Sequence, residues 1–224
     1  MVSQAKLRSL AMAGYGDDIN VAKPFGAGDL RFTLRSISVH GKQARMIDAG
    51  SAAIALLRQR PNARARVLLF IGQSMDSGSE SSLSALEEQA ERENVTVYAL
   101  VLPQFGKAFV SDTFSLGGLP QDKGGFEAGV DLGRLISGLG RNGKVEARTD
   151  PFSLLTAATG GTQLHFRKQK QFEDAIGAIG LELRSAYLLS YSPNSTETGY
   201  HTIKIEVGVP GAKVYARPGY WLGN

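Results

Sequence analysis

The residues best placed to do chemistry form a polar loop directly after the strongest predicted strand. That strand, Arg66–Gly72, is a continuous apolar run, and Gln73, Ser74 and Asp76 follow it. In open α/β sheets the ligand crevice lies at the carboxyl ends of the strands, and carboxylate and hydroxyl oxygens are the donors that hard cations prefer. The alternative is that Asp76 and the serines only shape a turn and start the next helix, and this interpretation is favoured.

A second candidate is the glycine-rich stretch 138–144, which fits G-x-G-x-x-G and most of the phosphate-loop pattern. Both motifs require a preceding strand and a following helix, so that the N–H groups of the helix start face the phosphates. Val145 stands where a phosphate loop has the Ser or Thr that binds magnesium, and the residues after it look extended. A flexible glycine turn is therefore favoured, and no cofactor is expected.

The three histidines, His40, His165 and His201, are scattered along the chain. A Ser/His/Asp system assembles in space, so spacing alone does not exclude it. However, the sequence has no G-x-S-x-G elbow, and no histidine ends a predicted strand with a carboxylate nearby in sequence. Structural histidines are the favoured interpretation. Since the chain has no cysteine, disulfides, thiol nucleophiles and iron–sulfur clusters are excluded.

Composition indicates a globular chain with a substantial core. The chain has 224 residues, of which 42% are hydrophobic, and a formal net charge of +4. No apolar stretch approaches the roughly 20 residues of a membrane span, and the N-terminus lacks a convincing export signal. Nucleic-acid binding is not expected because no aromatic pattern accompanies the one basic cluster. That cluster comprises Arg58, Arg60, Arg64 and Arg66.

The elements around the polar loop predict an α/β fold. A second apolar run, Val95–Leu102, follows an amphipathic helix within 79–94 that has a serine start signal and Asn94 just past its end. Strand, helix and strand form a βαβ unit with a right-handed crossover. Upstream, the pattern predicts helices at 46–59 and 29–37, and a hairpin of strands 9–15 and 19–23.

Downstream, the pattern continues after a weakly periodic, glycine-rich segment at 103–149, for which few buried contacts and high mobility are expected. Asp150 and Pro151 provide an N-cap and a first-turn proline for a helix that Gly160 and Gly161 end. A strand at 162–166 and a helix at 169–184 follow. The last part predicts an antiparallel meander of three strands, at 186–192, 201–207 and 213–217.

Taken together, these patterns resemble von Willebrand factor type A domains, most closely the von Willebrand-related domains of acidobacteria. The resemblance covers most of the chain apart from 103–149. It implies a Rossmann-like, mostly parallel sheet between helices over 1–184, and a C-terminal strand extension, 185–224, packed on the same domain. It rests on residues 10–25, on Val67–Ile71 with its polar loop, on Asn94–Ala99, on Leu154–Gly161, on Leu183–Pro193 and on Val214–Trp221.

The resemblance also implies a metal-ion-dependent adhesion site that this sequence lacks. The family's first strand, which ends in D-x-S-x-S, is not found. A ligand threonine of the family aligns with Ala44, and a ligand aspartate aligns with Gln73. Asp76 matches a further acidic position, and Asp48 and Ser74 lie nearby. Because alanine has no oxygen donor and a neutral amide is a poor ligand for a small hard cation, no bound metal is expected. In the family, the missing strand lies between the second strand and the strand at 67–71.

Three functions remain open. The first is a non-enzymatic protein–protein interaction module with a degenerate, metal-free adhesion site at Ala44, Asp48, Gln73, Ser74 and Asp76. The second is a fragment of a longer exported adhesion protein that binds its ligand through a metal. The third is a hydrolase that uses the 103–149 region, because long irregular loops often carry function. The resemblance suggests an exported or periplasmic protein, and the sequence does not name the partner.

Overall fold

The computed structural model describes residues 10–26, 41–60, 65–102, 150–187, 189–194, 196–210 and 214–223. Contacts between Cα atoms divide the chain into two compact units, Met1–Arg66 with Met75–Gln89, and Val67–Ser74 with Ala90–Asn224. The predicted helix at 29–37, the segment 103–149 with its glycine motif, and His40 lie outside the described residues. The predicted extension, 185–224, falls within the second unit.

In the first unit, the predicted hairpin is confirmed. Strands β1 (Met12–Tyr15) and β2 (Ile19–Lys23) pair antiparallel, with Tyr15 opposite Ile19. Lys23, at the end of β2, is 1% exposed, and its ammonium donates a hydrogen bond of 2.8 Å to the carbonyl oxygen of Leu10. A buried lysine needs such an acceptor because an unpaired buried charge is very costly.

Helix α1 (Met46–Arg58) is the main helix of the first unit, and it forms where the sequence predicts a helix. Its buried face includes Met46, Ile47 and Ile54, which recur at helical spacing. The charges at its two ends suit the helix dipole, because Asp48 lies in the first turn and Arg58 in the last. The start of α1 is the part that the polar loop contacts.

The second unit contains a three-stranded parallel sheet of β3 (Arg66–Gly72), β4 (Val95–Val101) and β5 (Gln163–His165), in that order. The predicted parallel strands are thus confirmed. Strands β4 and β5 pair in a parallel register in which Ala99 lies opposite Gln163. Almost every residue of β4 is buried, as expected for a parallel strand covered on both faces. Among the described residues, β2 and β3 belong to separate sheets, and no other strand joins them.

Among the described residues, three further helices form where helices are predicted, and two of them have their predicted caps. Helix α2 (Leu83–Arg92) starts at Ser82, whose hydroxyl accepts from the N–H of Ala85, and ends before Asn94, which has a left-handed φ of 56°. Helix α3 (Pro151–Thr159) is capped by Asp150, and helix α4 is Gln169–Ser185. A cluster of the second unit's core joins β4 to α4 through Tyr98, Leu100, Ala175 and Ile179.

Gly161, in the turn from α3 to β5, is required by close packing. A Cβ atom there would overlap the carbonyl oxygen of Val97 on β4. The preceding residue, Gly160, has a left-handed φ of 75° and ends α3. The two glycines therefore let the chain reverse tightly and return as β5 alongside β4.

The C-terminal prediction of an antiparallel meander is confirmed in part, because the antiparallel pairing is present but the three predicted strands are not found among the described residues. The described residues form two antiparallel strands, β6 (Gly199–Thr202) and β7 (Gly219–Leu222), and 186–192 has no strand within its described part. Pairing occurs where aromatic rings meet across the strands, with ring centroids 5.5 Å apart for Tyr200 and Trp221. Aromatic pairs of this kind across two strands stabilise a sheet.

Candidate functional site

In the first unit, Asp76 holds the start of α1. Its Oδ1 accepts a hydrogen bond of 2.8 Å from the N–H of Ile47 and another of 2.7 Å from the hydroxyl of Ser79. Ile47 is the second residue of α1, where the N–H groups have no partner within the helix. Asp76 therefore supplies both a hydrogen-bond acceptor and a negative charge at the positive end of the helix dipole.

Asp48, in the first turn of α1, bonds to the same loop. Its carboxylate accepts hydrogen bonds of 3.0 Å from the N–H groups of both Glu80 and Ser81, one on each oxygen. Arg45 adds a charged contact of 2.8 Å to Oδ2. Burial by itself raises the pKa of Asp48, but these hydrogen bonds outweigh burial, so the pKa lies well below the ordinary value. Both oxygens of this carboxylate already have donors within the chain.

Ala44 lies in an antiparallel bridge with Ser77. The Ser77 N–H donates to the Ala44 carbonyl oxygen at 2.9 Å, and the Ala44 N–H donates to the Ser77 hydroxyl at 2.9 Å. Gly78 follows with a φ of 85°, and a Cβ there would lie 2.5 Å from the side-chain oxygen of Gln43. The main chain of Ala44 thus fixes the loop, while its methyl side chain offers no oxygen.

The second unit contains the other two predicted positions. Gln73 is exposed just after β3, and Ser74 is half-buried. The Ser74 hydroxyl donates to Oδ1 of Asp150 and accepts from the N–H of Phe152 at 3.2 Å. Asp150 itself accepts from the Phe152 N–H at 3.0 Å and from the Gln163 amide at 2.7 Å. Ser74 is therefore part of the N-cap of α3.

His165 is the last residue of β5, and the carboxylate that acts on it, Asp150, lies fifteen residues earlier in the sequence rather than nearby. Burial lowers the pKa of His165, while the negative charge of Asp150 acts to raise it. Helix α3 and its glycine turn bring Asp150 back to β5, a proximity that spacing in sequence does not show. The Ser74 hydroxyl donates to Asp150 rather than to an imidazole, so this arrangement is not that of a serine activated by a histidine base.

Of the five predicted positions, the structure brings together Asp48 and Asp76. Ser79 links them, because its hydroxyl donates to Asp76 and accepts from the N–H of Asp48 at 3.2 Å. Ala44 lies two residues before α1 in the same unit, whereas Gln73 and Ser74 belong to the second unit. The sequence predicted Asp150 as the N-cap of α3, but it did not reveal that Ser79 links Asp48 to Asp76 or that Ser74 bonds to Asp150.

These residues do not fit the magnesium ion that the family resemblance implies. Magnesium requires near-octahedral oxygen coordination, yet both oxygens of Asp48 and one of Asp76 accept hydrogen bonds within the loop. Ala44 offers no side-chain oxygen, and Gln73 offers only a neutral amide. Within the described ranges, no group of three or more His, Asp or Glu residues is arranged to hold a metal.

Comparisons with known proteins do not assign the chain to a family. No protein-family model matches it, and no curated protein matches it. Among solved structures, a crystal structure titled as an uncharacterized membrane spanning protein from Vibrio fischeri is similar, with 12% sequence identity and a TM-score of 0.32. The similarity covers 76% of this chain and 74% of that one. In the described part of this chain, no helix is long and apolar enough to cross a membrane.

Proposed function

We propose that the chain is a von Willebrand factor A-like module that binds a protein partner without a metal ion. A three-stranded parallel sheet flanked by helices agrees with that family's architecture. The motifs of the C-terminal part, such as Leu183–Pro193 and Val214–Trp221, support the same relationship.

One observation carries the metal-free part of this proposal. The acidic side chains of the adhesion-site loop, Asp48 and Asp76, bond to main-chain N–H groups of their own loop and of α1. A carboxylate that caps a helix or a turn loses those hydrogen bonds when it turns to a cation. The two carboxylates thus stabilise the loop through these hydrogen bonds. A cation could bind them only if its coordination outweighed the hydrogen bonds that would be lost.

Recognition without metal requires direct contacts from exposed loop residues. In the first unit, Met75 is 37% exposed and the Glu80 side chain is 88% exposed. These side chains offer an apolar contact and a negative charge. A partner that recognises them would bind by ordinary hydrogen bonding and packing, without completing a coordination shell.

A magnesium titration tests the absence of metal. We expect the melting temperature of the chain to be the same in millimolar magnesium, in manganese and in chelator, because only a ligand that binds the native state stabilises it. Asp76→Ala should lower the melting temperature by the same amount in all three conditions, since it removes a helix-capping acceptor. An upward shift with magnesium that disappears in Asp76→Ala would overturn the metal-free proposal.

Partner capture tests the interaction role. Extracts of the source cells are passed over the immobilised chain in magnesium and in chelator, and retained proteins are identified. We expect equal retention in both buffers, loss of the retained protein with Glu80→Arg, and no loss with Lys170→Glu, an exposed change on α4. Retention only in magnesium would favour the metal-dependent alternative. Turnover of ester, phosphate or glycoside substrates, abolished by one serine or histidine change, would favour the hydrolase.

A further inference from the structure

The chain that continues from β6 carries an exposed, alternating pattern that the proposed loop function does not use. We name residues 203–209 the edge segment. Side-chain exposure alternates along its start, where Ile203 and Ile205 are half-buried while Lys204 and Glu206 are exposed. Further along, Val207 is 50% exposed. A period of two is typical of a strand with one apolar and one polar face.

The hydrogen bonds among the described residues show which edge of this segment has no main-chain partner there. The N–H of Ile203 donates to the carbonyl oxygen of Pro218 at 2.6 Å, so the polar main-chain groups of Ile203 face the β7 side. In an extended chain, the main-chain N–H and C=O groups of successive residues point to opposite edges of the strand. Lys204 and Glu206 therefore direct theirs away from β7, and no main-chain hydrogen bond joins either residue to another part of the chain that the structure describes. Such an edge is a template for another strand.

The sequence of the edge segment is complementary to itself. In an antiparallel pair centred on Ile205, Lys204 lies opposite Glu206 of a second copy, and Ile203 lies opposite Val207 of that copy. Opposite charges then meet on one face, and apolar side chains meet on the other. The register also agrees with the hydrogen bonds, because Lys204 and Glu206 both direct their main-chain groups outward and can form a hydrogen-bonded pair.

We infer that the edge segment pairs with the same segment of a second copy of this chain, and that the protein forms a two-fold symmetric dimer through this strand pair. Two-fold symmetry requires a surface that is complementary to itself, and antiparallel pairing around one residue meets that requirement. A foreign strand would need its own matching order of charges, whereas a second copy supplies it. The inference does not depend on the loop proposal, since all of these residues follow β6 in the second unit.

Sedimentation equilibrium over a wide concentration series tests the inference. We expect a weak dimer, because one strand pair buries less than the ~1,200 Å² of total surface that stable interfaces reach. Lys204→Glu and Glu206→Lys should each raise the dimer Kd about tenfold, since two-fold symmetry turns two attractive pairs into two repulsive ones. Lys170→Glu, a matched charge change on α4, should leave the Kd unchanged.

Charge exchange makes the test specific to the register. Mixing the two single variants should restore association as a heterodimer, and the double variant Lys204→Glu/Glu206→Lys should dimerise like the wild type. Lys204 and Glu206 are exposed, and within one chain they pair with each other at 2.5 Å. Because exposed pairs contribute about 0–1 kcal/mol, every variant should stay close to the wild-type melting temperature when measured at a concentration where all are monomeric.

Three results would overturn the inference. They are a chain that is monomeric at every concentration, a dimer that the charge variants do not weaken, and single variants whose mixture does not associate. Hydrogen exchange adds a further check, because amides of the edge segment should become protected only as the dimer forms. Protection that is independent of concentration would show that the chain itself covers this edge.

Discussion

Replacing Asp48 with asparagine should destabilise the protein at neutral pH and should do so much less in acid. The carboxylate accepts from the N–H groups of Glu80 and Ser81 and pairs with Arg45. An asparagine side chain has one acceptor oxygen, so one main-chain N–H loses its partner and the ion pair is lost. Hydrogen bonds to charged groups contribute about 1.5–3 kcal/mol. Since Arg45 is partly exposed, we expect a loss of about 1–2 kcal/mol at pH 7.

The pH dependence follows from the direction of the pKa shift. Hydrogen bonding lowers the pKa of Asp48 in the folded protein, despite the opposing effect of burial. The unfolded chain, with an aspartate pKa of about 3.9, therefore takes up the proton first as the pH falls. The stabilisation is fully present above that value and is lost as the pH decreases toward the folded pKa. The difference between wild type and Asp48→Asn should thus shrink between neutral pH and about pH 3.

Urea unfolding followed by far-ultraviolet circular dichroism, at pH 7 and at pH 3, measures this difference. Asp174→Asn is the matched control, because Asp174 is exposed on α4 and pairs with Lys170 at 3.7 Å. Exposed pairs contribute about 0–1 kcal/mol, so this change should have little effect at either pH. The reasoning is refuted if Asp48→Asn costs no more than the control at pH 7, or if its cost does not decrease in acid.

Three further predictions concern the second unit. Asp150→Ala should cost about 1–2 kcal/mol in urea unfolding because α3 loses its N-cap, and Asp150→Ser should recover part of that loss; equal losses would argue against capping. Gly161→Ala should cost more than about 2 kcal/mol because the added methyl overlaps the carbonyl of Val97, whereas Gly177→Ala, which meets nothing within 4 Å in α4, should be neutral or stabilising. Burial lowers the pKa of His165, so the unfolded chain binds the proton more readily and stability should fall from pH 7 to pH 5. His165→Asn should reduce that slope, and an unchanged slope would show that another group causes it.

The local elements could be predicted because their signals are short-range. Continuous apolar runs predicted β3 and β4, and the described helices formed within a few residues of their predicted bounds. Caps were readable for the same reason, since Asp150 bonds to the N–H groups two and three residues later. The hairpin of β1 and β2 likewise depends on a turn of a few residues. Each of these features depends only on residues that are close together in the sequence.

The polar contacts of the candidate site were decided by the tertiary structure. The sequence placed Asp76 and Asp48 near the family's ligand positions, but the main-chain N–H groups that bond to them lie about thirty residues away along the chain. No local pattern shows that Ser79 joins them, or that Ser74 bonds to Asp150 across more than seventy residues. The partners to which these side chains bond depend on which distant loops the sheet and helices bring together.

The sequence by itself thus determined the type of most of the described elements and the parallel strand core, because apolar periodicity is a local property. The tertiary structure alone decided that Asp48 and Asp76 serve as caps within the loop. It also decided that C-terminal pairing stops after a few residues, at Thr202. These outcomes depend on which main-chain groups lie within hydrogen-bond distance of each carboxylate or strand edge. Those groups are distant in sequence and become neighbours only when the chain has folded.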